Sequence, residues 1–362
     1  MPLRAPMRLG RPTLRLAGMA LGLILVTAAA YLLHRRLGGW TLIGAFAIGT
    51  ACAFAAGRMA GQVDQRSALI VILVGAAGMR LVLLFSEPTL SSDLFRYIWD
   101  GRVQAAGINP YRFVPAAAEL APLRDPDIWP HINRADYAVT LYPPGAQLLF
   151  VGLTRVSESV VAMKLALLLF EAAGIAALIA LLRRLGKPVT DVAAYAWHPL
   201  PVWEIAGNGH LDGFMLALLL AGLLLYVQGR TLIAGVLVTI GALIKPLAAL
   251  VLPVLWRAWD WRLPACVAAT IALAYAPYLS VGWGVFGFVA GYVEEEGLAS
   301  GNGLKLLWLA QQLTGPLHYG AAAYLAIAFI ALGALALTIA LRSNRTPQAS
   351  MRSASWMLTA FL

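Results

Sequence analysis

The sequence predicts an all-α fold, a polytopic bundle of transmembrane helices that forms one domain over residues 1–362. Of these residues 60% are hydrophobic and only 12% are charged, whereas soluble domains carry about 25% charged residues. Apolar runs of about twenty residues, the length that crosses a bilayer, recur along the chain. The formal net charge of +10 is typical of a membrane protein with basic cytoplasmic loops, and we expect no nucleic-acid partner.

The apolar runs place the transmembrane helices in chain order. Arg4, Arg8, Arg11 and Arg15 precede the first run, and no clear cleavage site follows it. We therefore expect a retained first helix rather than a signal peptide. Residues 1–66 then hold two extra helices ahead of the core. The predicted spans are 15–33, 39–57, 67–86, 158–182, 189–206, 211–228, 231–256, 264–281 and 319–341.

Basic clusters orient these helices, because short cytoplasmic loops are enriched in lysine and arginine. His34-Arg35-Arg36 is the exception that this orientation leaves outside. Residues 87–138, the longest polar segment, are then extracytoplasmic. The clusters assigned to the cytoplasm are Arg4 to Arg15, Arg58 with Arg66, Arg183-Arg184-Lys187, Arg230, Arg257 with Arg262, and Arg342 with Arg345.

Prolines interrupt the pattern at two places. Residues 141–156 are short and begin with Pro143-Pro144, so we expect a partial or re-entrant helix. Lys245-Pro246 divides the run 231–256 into two short helices, and broken helices at membrane depth occur only where they line a cavity. A last apolar stretch, Ser355–Leu362, is too short to span the bilayer.

The chain is organised around segment 91–102, which lies near the start of the long polar segment. Helical residues three and four apart share a face, so this segment predicts an amphipathic helix on the membrane surface with Trp99 at headgroup level. The polar face carries Asp93, Arg96, Tyr97, Asp100 and Gln104. The apolar face carries Leu94, Phe95, Ile98, Trp99 and Ala105. The predicted caps are Ser91 or Ser92 at the start and Gly107 with Asn109-Pro110 at the end.

Two carboxylates of this helix have different expected roles. Asp93 lies in the first turn, where the helix dipole stabilises an ionised carboxylate. Ionisation is what a general base requires, although any carboxylate at a helix start is stabilised in the same way. Asp100 lies further along the helix, and pairing with Arg96 or Arg102 is its structural alternative.

Other ionisable residues have both a functional and a structural interpretation. Lys245 within an apolar run costs about 2.5–3.5 kcal/mol at the bilayer centre, so it needs a partner or a cavity unless it reaches the membrane surface. Lys164 and Glu171 share one helix face, which predicts pairing with each other or with neighbours. His210 and Asp212 form either a ligand contact or a solvated turn.

Four motifs carry a resemblance to a known family. They are D-L-F-R-Y-I-W-D-G-R with G-I-N-P-Y (93–111), L-Y-P-P-G (141–145), W-H-P-L-P-V-W-E-I-A-G-N-G-H-L-D (197–212) and L-I-K-P-L (243–247). By their order and spacing, the chain resembles the GT-C superfamily of membrane glycosyltransferases over residues 67–320. Within it, the chain is most similar to bacterial polyprenyl-phosphate-mannose-dependent mannosyltransferases and glycosyltransferase family 87.

The resemblance implies that Asp93 is the general base of an inverting transfer. Asp93 would take the proton of an acceptor hydroxyl, which attacks the anomeric carbon while the lipid phosphate leaves. Lys245 and His210 best match the basic groups that stabilise the phosphate, followed by Arg96 and Arg102. Neither the resemblance nor the histidine spacing predicts a metal or cofactor. The predicted substrate-binding residues are Arg96, Asp100, Arg102, Glu204, Asn208, His210, Asp212 and Lys245.

These observations predict an inner-membrane glycosyltransferase whose active site faces the periplasm or the cell exterior. Its donor would be a polyprenyl-phosphate hexose, with mannose implied by the resemblance, and its acceptor a hydroxyl of a glycan or glycolipid. The C-terminal helices of the family are missing from this sequence, which fits a truncated chain. The alternative is a flippase for polyprenyl-linked lipids or another transporter, although no internal repeat supports it.

Overall fold

A computed structural model describes residues 10–298, 300–315, 320–342 and 345–361. Within those ranges all regular structure is helical, which confirms the predicted all-α class. Parts of the predicted features fall outside them: Arg4, Arg8, residue 319 and Leu362. The longer helices are α1 (Arg11–Leu37), α2 (Trp40–Ala60), α3 (Gln65–Leu84), α4 (Asp93–Ala105), α5 (Pro144–Thr154), α6 (Val160–Arg184), α7 (Asp212–Val227), α8 (Thr231–Ala242), α9 (Arg262–Tyr275), α10 (Val289–Glu295), α11 (Lys305–Thr314), α12 (Gly320–Leu341) and α13 (Pro347–Phe361).

Six helical segments of the described chain are long and apolar enough to cross a membrane, so the polytopic prediction is confirmed. Local capping sets several of their starts. The Asp64 side chain accepts a hydrogen bond from the Ser67 N–H at the start of α3, and Ser159 accepts from Ala162 N–H at the start of α6. The segments are Arg11–His34, Trp40–Ala60, Gln65–Leu84, Val160–Arg184, Arg262–Glu295 and Gly320–Leu341.

The predicted single span 189–206 is wrong. It is a series of short turns, including Ala193–Ala196, Pro199–Pro201 and a π-helical turn at Val202–Gly207. The reason is that prolines remove backbone donors and force the preceding residue out of the helical region. The hydropathy of the segment comes from burial inside the protein, since Trp197 and Trp203 are both at most 1% exposed.

The predicted break in 231–256 is confirmed. Helix α8 ends at Ala242, Lys245 is extended with φ −135° and ψ 124°, and a 3₁₀ turn runs from Pro246 to Val251. Pro246 explains the extended backbone of the residue before it. The short helix predicted within 141–156 is present as α5, whereas its re-entrance stays a prediction. The stretch predicted from Ser355 is the second half of α13.

The chain folds into two compact units. The first contains the chain up to Leu94 together with Ser157–Val227, and the second contains Phe95–Val156 together with the chain from Gln228 onward. A single transmembrane domain stays a prediction.

Small residues allow close helix packing in the first unit. Helix α2 buries a row of Ala and Gly, and a Cβ on Gly49 would lie 3.1 Å from Pro199 Cγ. A Cβ on Gly75 in α3 would lie 2.8 Å from the Ala20 side chain in α1. Such contacts drive helix association in membranes, where lipid removes much of the hydrophobic advantage. The opposite faces expose large apolar residues such as Val74, as expected for contact with lipid.

Helices α3 and α6 are also joined by a buried ion pair. Arg80 Nε and a terminal nitrogen donate to the two Glu171 oxygens at 2.7 Å and 2.6 Å. The remaining terminal nitrogen donates to the Ala76 and Ala196 carbonyls, and Tyr195 Oη donates to Glu171. The prediction that Glu171 has a structural partner is therefore confirmed, and that partner is Arg80.

In the second unit, two of the sequence motifs meet. The Ala146 N–H donates to the Leu243 carbonyl at 3.2 Å, and a Cβ on Gly145 would lie 2.8 Å from that oxygen. Gly145 thus permits α5 to approach the break before Lys245. Elsewhere in this unit, Arg134 pairs with Glu295 at 2.6 Å, which ties the long polar segment to α10.

We predict that Arg80→Met lowers stability by about 3–5 kcal/mol, because it leaves Glu171 charged, buried and unpaired. The measurement is the Tm of the purified protein in detergent. Arg58→Met, which removes an exposed arginine of α2, is the matched control and should leave the Tm nearly unchanged. The double variant Arg80→Met/Glu171→Leu should recover much of the loss. Equal losses in the single and double variants would contradict a stabilising role for this pair.

Candidate active site

Helix α4 runs from Asp93 to Ala105, between the predicted cap at Ser91 or Ser92 and the predicted end at Gly107. At its start, the Asp93 N–H donates to Ser91 Oγ at 3.2 Å, so Ser91 rather than Ser92 supplies the hydrogen bond seen there. At its end, Gly107 has φ +79°, and the N–H groups of Gly107 and Ile108 donate to Gln104 and Val103. This is a Schellman termination, which explains why glycine stops the helix. Asp93 is half-buried in the first turn, where the partial positive charge of the helix is greatest.

The prediction that Trp99 lies at the lipid headgroups is wrong, whereas the placement of α4 at the membrane surface stays a prediction. Trp99 is 1% exposed, and its ring centroid lies 5.4 Å from that of Trp129. Tyr97, on the predicted polar face, is also buried and stacks on Phe150. Periodicity identified the helix and its two faces, but it does not distinguish lipid from protein as the apolar partner.

The segment that leads into Asp93 is held by two side chains from distant parts of the first unit. Lys164 Nζ donates to the carbonyls of Leu83 and Ser86 at 2.7 Å and 2.8 Å. It therefore caps the C-terminal end of α3, where carbonyls lack helical partners. Asn208 Oδ1 accepts from the N–H groups of Thr89 and Leu90 at 3.2 Å and 3.0 Å. The path of the chain from α3 to Asp93 is thus fixed from two sides.

The turn 204–212 packs against the first turn of α4. Gly209 has φ +73°, and a Cβ there would overlap the Leu94 side chain and lie 3.3 Å from Lys164 Cγ. Glycine is therefore required both by the backbone and by the close approach. This contact brings Glu204, Asn208 and His210 to the end of the first unit that carries Asp93.

Within that turn, Glu204 and His210 form a carboxylate–imidazole pair. Their Oε2 and Nδ1 atoms are 2.6 Å apart, and the His210 N–H also donates to the Glu204 carbonyl at 2.9 Å. The π-helical turn Val202–Gly207 carries Glu204, and such turns are frequent at functional sites. Asp212 is half-buried at the first position of α7.

Arg96 and Asp100 lie in the second unit, in a buried polar network. Arg96 Nε donates to Asp100 Oδ1 at 2.8 Å, and Gln147 Nε2 donates to Asp100 Oδ2 at 3.1 Å. Gln104 Nε2 donates to Gln147 Oε1 at 2.7 Å, and Tyr278 Oη donates to Gln104 Oε1 at 2.8 Å. The structural pairing of Asp100 with Arg96 is confirmed, and substrate binding by either stays a prediction.

The sequence analysis did not identify Gln147 as part of this network, and it did not predict that Asn208 holds the backbone before Asp93. Gln147 is fully buried and bonds Asp100, Thr140 and Gln104. A polar amide inside the apolar helix α5 was a signal that could have identified it, because a buried amide needs partners. No local pattern could have indicated that Asn208 binds backbone groups 118 and 119 residues away.

The other two predicted basic residues also lie in the second unit. Arg102 donates to the Leu123 carbonyl at 2.9 Å and to the Asp125 carboxylate. Burial raises the pKa of Asp125, but hydrogen bonds from Arg102 and from the N–H groups of Ile128 and Asp127 outweigh it, so the pKa is lowered. Lys245 is half-buried at the break after α8. Substrate contacts of Arg102 and Lys245 stay predictions.

Comparison with known proteins gives two matches. A family model described as "Alpha-(1->6)-mannopyranosyltransferase, N-terminal domain" matches residues 10–261. Alpha-(1->6)-mannopyranosyltransferase A of Mycobacterium tuberculosis is 30% identical over 188 residues, which are 49% of this chain and 34% of that protein. The match thus spans about a third of the length of this curated relative. No solved structure matches the chain.

We predict that Gly209→Ala destabilises the protein more than Gly229→Ala. Both glycines have positive φ, +73° and +83°, so both variants incur about 1–2 kcal/mol of backbone strain. Only at Gly209 would the new Cβ meet other atoms, which adds about 1–3 kcal/mol of overpacking. Thermal unfolding of the three proteins measures the difference. In a protein that already carries Leu94→Ala, Gly209→Ala should lower the Tm less than it does in the unchanged protein, and equal Tm values for the two glycine variants would exclude the contact.

Proposed function

Because the chain belongs to the Alpha-(1->6)-mannopyranosyltransferase N-terminal domain family, we propose that it is a mannosyltransferase. The donor is a polyprenyl-phosphate-linked mannose, and the acceptor is a hydroxyl group of a glycan or glycolipid. The observation that carries this proposal is the family match over residues 10–261, which includes α4 and the turn 204–212. The contact of that turn with the start of α4 supports a common site in the first unit.

In the proposed reaction Asp93 is the general base. Its carboxylate takes the proton of the acceptor hydroxyl, and the hydroxyl oxygen forms a bond to the anomeric carbon of the donor. The bond between that carbon and the phosphate oxygen breaks, and polyprenyl phosphate leaves with the bonding electrons. Attack opposite to the leaving group inverts the anomeric configuration. The position of Asp93 in the first turn of α4 supports this role, since the helix dipole stabilises the ionised carboxylate.

Charge develops on the phosphate as it leaves, so donors near it lower the barrier. We assign this part to His210, whose ring is held by Glu204 at 2.6 Å and lies on the turn that packs against Leu94. Arg96 and Asp100 act differently in this proposal. Their buried pair stabilises α4 and leaves the chemistry to residues at its start.

The proposed site faces the extracytoplasmic side of the plasma membrane. This assignment is supported by the basic end of α6, whose last residues are Arg183-Arg184, and by Lys187, which follows the helix. If these residues are cytoplasmic, the other end of α6, which carries Lys164, lies toward the opposite face. Lys164 binds the carbonyls just before the segment that leads to Asp93.

We predict that Asp93→Asn lowers kcat by about 10²–10⁴-fold, the usual contribution of a general base. The donor KM should change little, because the amide has the size of the carboxylate. The assay is release of polyprenyl phosphate from polyprenyl-phosphate mannose by the purified full chain with a mannose-oligosaccharide acceptor. Asp136→Asn, at an exposed position of the same long segment, is the control and should be as active as the unchanged protein.

Two outcomes of this assay would contradict the proposal. Normal turnover by the Asp93→Asn protein would exclude Asp93 as the base. Movement of the lipid-linked sugar across vesicle membranes by the unchanged protein, without release of polyprenyl phosphate, would identify a transporter instead.

A further inference from the structure

The turn 204–212 contains two buried polar atoms that lack a hydrogen-bond partner in the described part of the chain. They are Asn208 Nδ2 and His210 Nε2, and Asn208 as a whole is 0% exposed. The third atom of this kind, Arg124 Nε, belongs to a guanidinium that lies 4.4 Å from the ring centroid of Trp129. An unpaired buried polar group costs about 1–3 kcal/mol. Two such groups on one turn therefore indicate that the turn is built to bind something.

The direction of the Asn208 amide is determined by its surroundings. Its Oδ1 accepts from two backbone N–H groups, those of Thr89 and Leu90. Only the oxygen of an amide accepts hydrogen bonds, so the amide cannot be flipped. The NH₂ group must therefore be the end without a partner, and it is a donor of two hydrogen bonds.

The His210 ring is likewise fixed in one orientation. Glu204 Oε2 lies 2.6 Å from Nδ1, so Nδ1 carries a proton and donates it to the carboxylate. Nε2 is then the ring nitrogen that is left for a ligand. It donates a hydrogen bond when the ring is charged. Glu204 uses Oε2 for this contact, so it orients the His210 ring.

The side chain of Lys164 packs against this turn. Its ammonium group donates to three neutral oxygens, the Leu83 and Ser86 carbonyls and Ser86 Oγ, so these contacts do not neutralise it. The Lys164 stem lies 3.3 Å from the position that a Cβ on Gly209 would take. The Asn208 NH₂ group and a charged His210 ring are both hydrogen-bond donors, and an anionic ligand with several acceptor oxygens satisfies both.

We propose that Asn208 Nδ2 and His210 Nε2 together bind phosphate oxygens, and that Glu204 holds His210 for this purpose. The proposal rests on the proposed function, in which the phosphate belongs to the polyprenyl donor. The new element is that one residue, Asn208, both binds the phosphate and positions the proposed base, Asp93. Asn208 binds the ligand through its nitrogen, while its oxygen holds the segment just before Asp93.

The test is binding of polyprenyl phosphate, without sugar, to the purified full chain in lipid nanodiscs, measured by tryptophan fluorescence. Asn208→Asp keeps an oxygen for Thr89 and Leu90 but replaces the NH₂ donor by a second oxygen. We expect its Kd to rise by about ten- to a hundredfold, as for loss of a hydrogen bond to a charged group. Asn302→Asp, which adds the same charge at an exposed position, should bind like the unchanged protein.

A second variant separates the two functions of Asn208. Asn208→Leu removes the oxygen as well as the donor, so both the Tm and the affinity should fall. If Asn208→Asp instead binds polyprenyl phosphate as tightly as the unchanged protein, the NH₂ group does not bind phosphate and the proposal is overturned. The proposal is also overturned if that variant loses affinity only for the mannose-linked donor, because Asn208 would then bind the sugar.

Three ligands identify the source of the phosphate. The Kd is measured for the unchanged protein and for Asn208→Asp with each of three ligands: polyprenyl phosphate, phosphatidic acid in the nanodisc, and inorganic phosphate. A loss confined to polyprenyl phosphate supports a carrier-lipid site, and an equal loss for phosphatidic acid or inorganic phosphate supports a general phosphate site. Weakened binding by Asn208→Asp in a protein that transfers no mannose would keep this inference and reject the proposed function.

Glu204 is tested through His210. Glu204→Gln keeps an oxygen that accepts from Nδ1, whereas Glu204→Ala removes it. The donor KM should rise strongly in Glu204→Ala and much less in Glu204→Gln, because the conservative change still orients the ring. Equal KM values for both variants and the unchanged protein would exclude the positioning role.

Discussion

The structure around the candidate site depends on the hydrogen-bond partners of two buried charged residues of α6, Lys164 and Glu171. In an apolar environment an ionised side chain without a partner is too costly to keep, so each charge requires a partner from another segment beside it. Glu171 takes the Arg80 guanidinium of α3, and Lys164 takes the carbonyls at the end of the same helix. Two contacts along α6 therefore fix both the depth and the rotation of α3, and with them the point where the chain leaves for Asp93.

The turn 204–212 also holds the segment between α3 and α4 in place. Gly209 lets the turn approach Leu94 closely, and Asn208 binds the backbone of the segment between α3 and α4. At the same turn, two polar atoms have no hydrogen-bond partner among the described residues. Proteins satisfy nearly all buried polar groups, and exceptions concentrate where a ligand supplies the missing bonds. The contrast between well-satisfied charges in α6 and unsatisfied groups in this turn separates the supporting residues from those proposed to bind.

The second unit shows the opposite pattern. Asp100, Arg96, Gln147, Gln104 and Tyr278 form a network in which the carboxylate oxygens of Asp100 both accept hydrogen bonds. Hydrogen-bonded networks of this kind rigidify a protein, and substrate binding by Arg96 or Asp100 stays a prediction. In the sequence, Asp93 and Asp100 look alike, because both are carboxylates on one helix face. Their surroundings in the structure differ. One is half-buried at a helix start, and the other is 2% exposed within a network.

The sequence by itself determined the helical membrane class, the bounds of α4 and the break at Lys245-Pro246. These features follow from local properties, namely apolar run length, helix periodicity, glycine at a C-terminus and proline after an extended residue. Only the tertiary structure decided that Glu171 pairs with Arg80, 91 residues away, that Trp99 packs on protein rather than lipid, and that Asn208 holds the segment before Asp93. These depend on which distant groups meet in space. Periodicity shows that a side chain is apolar or needs a partner, but burial and hydrogen bonding are satisfied equally by many partners until the helices pack.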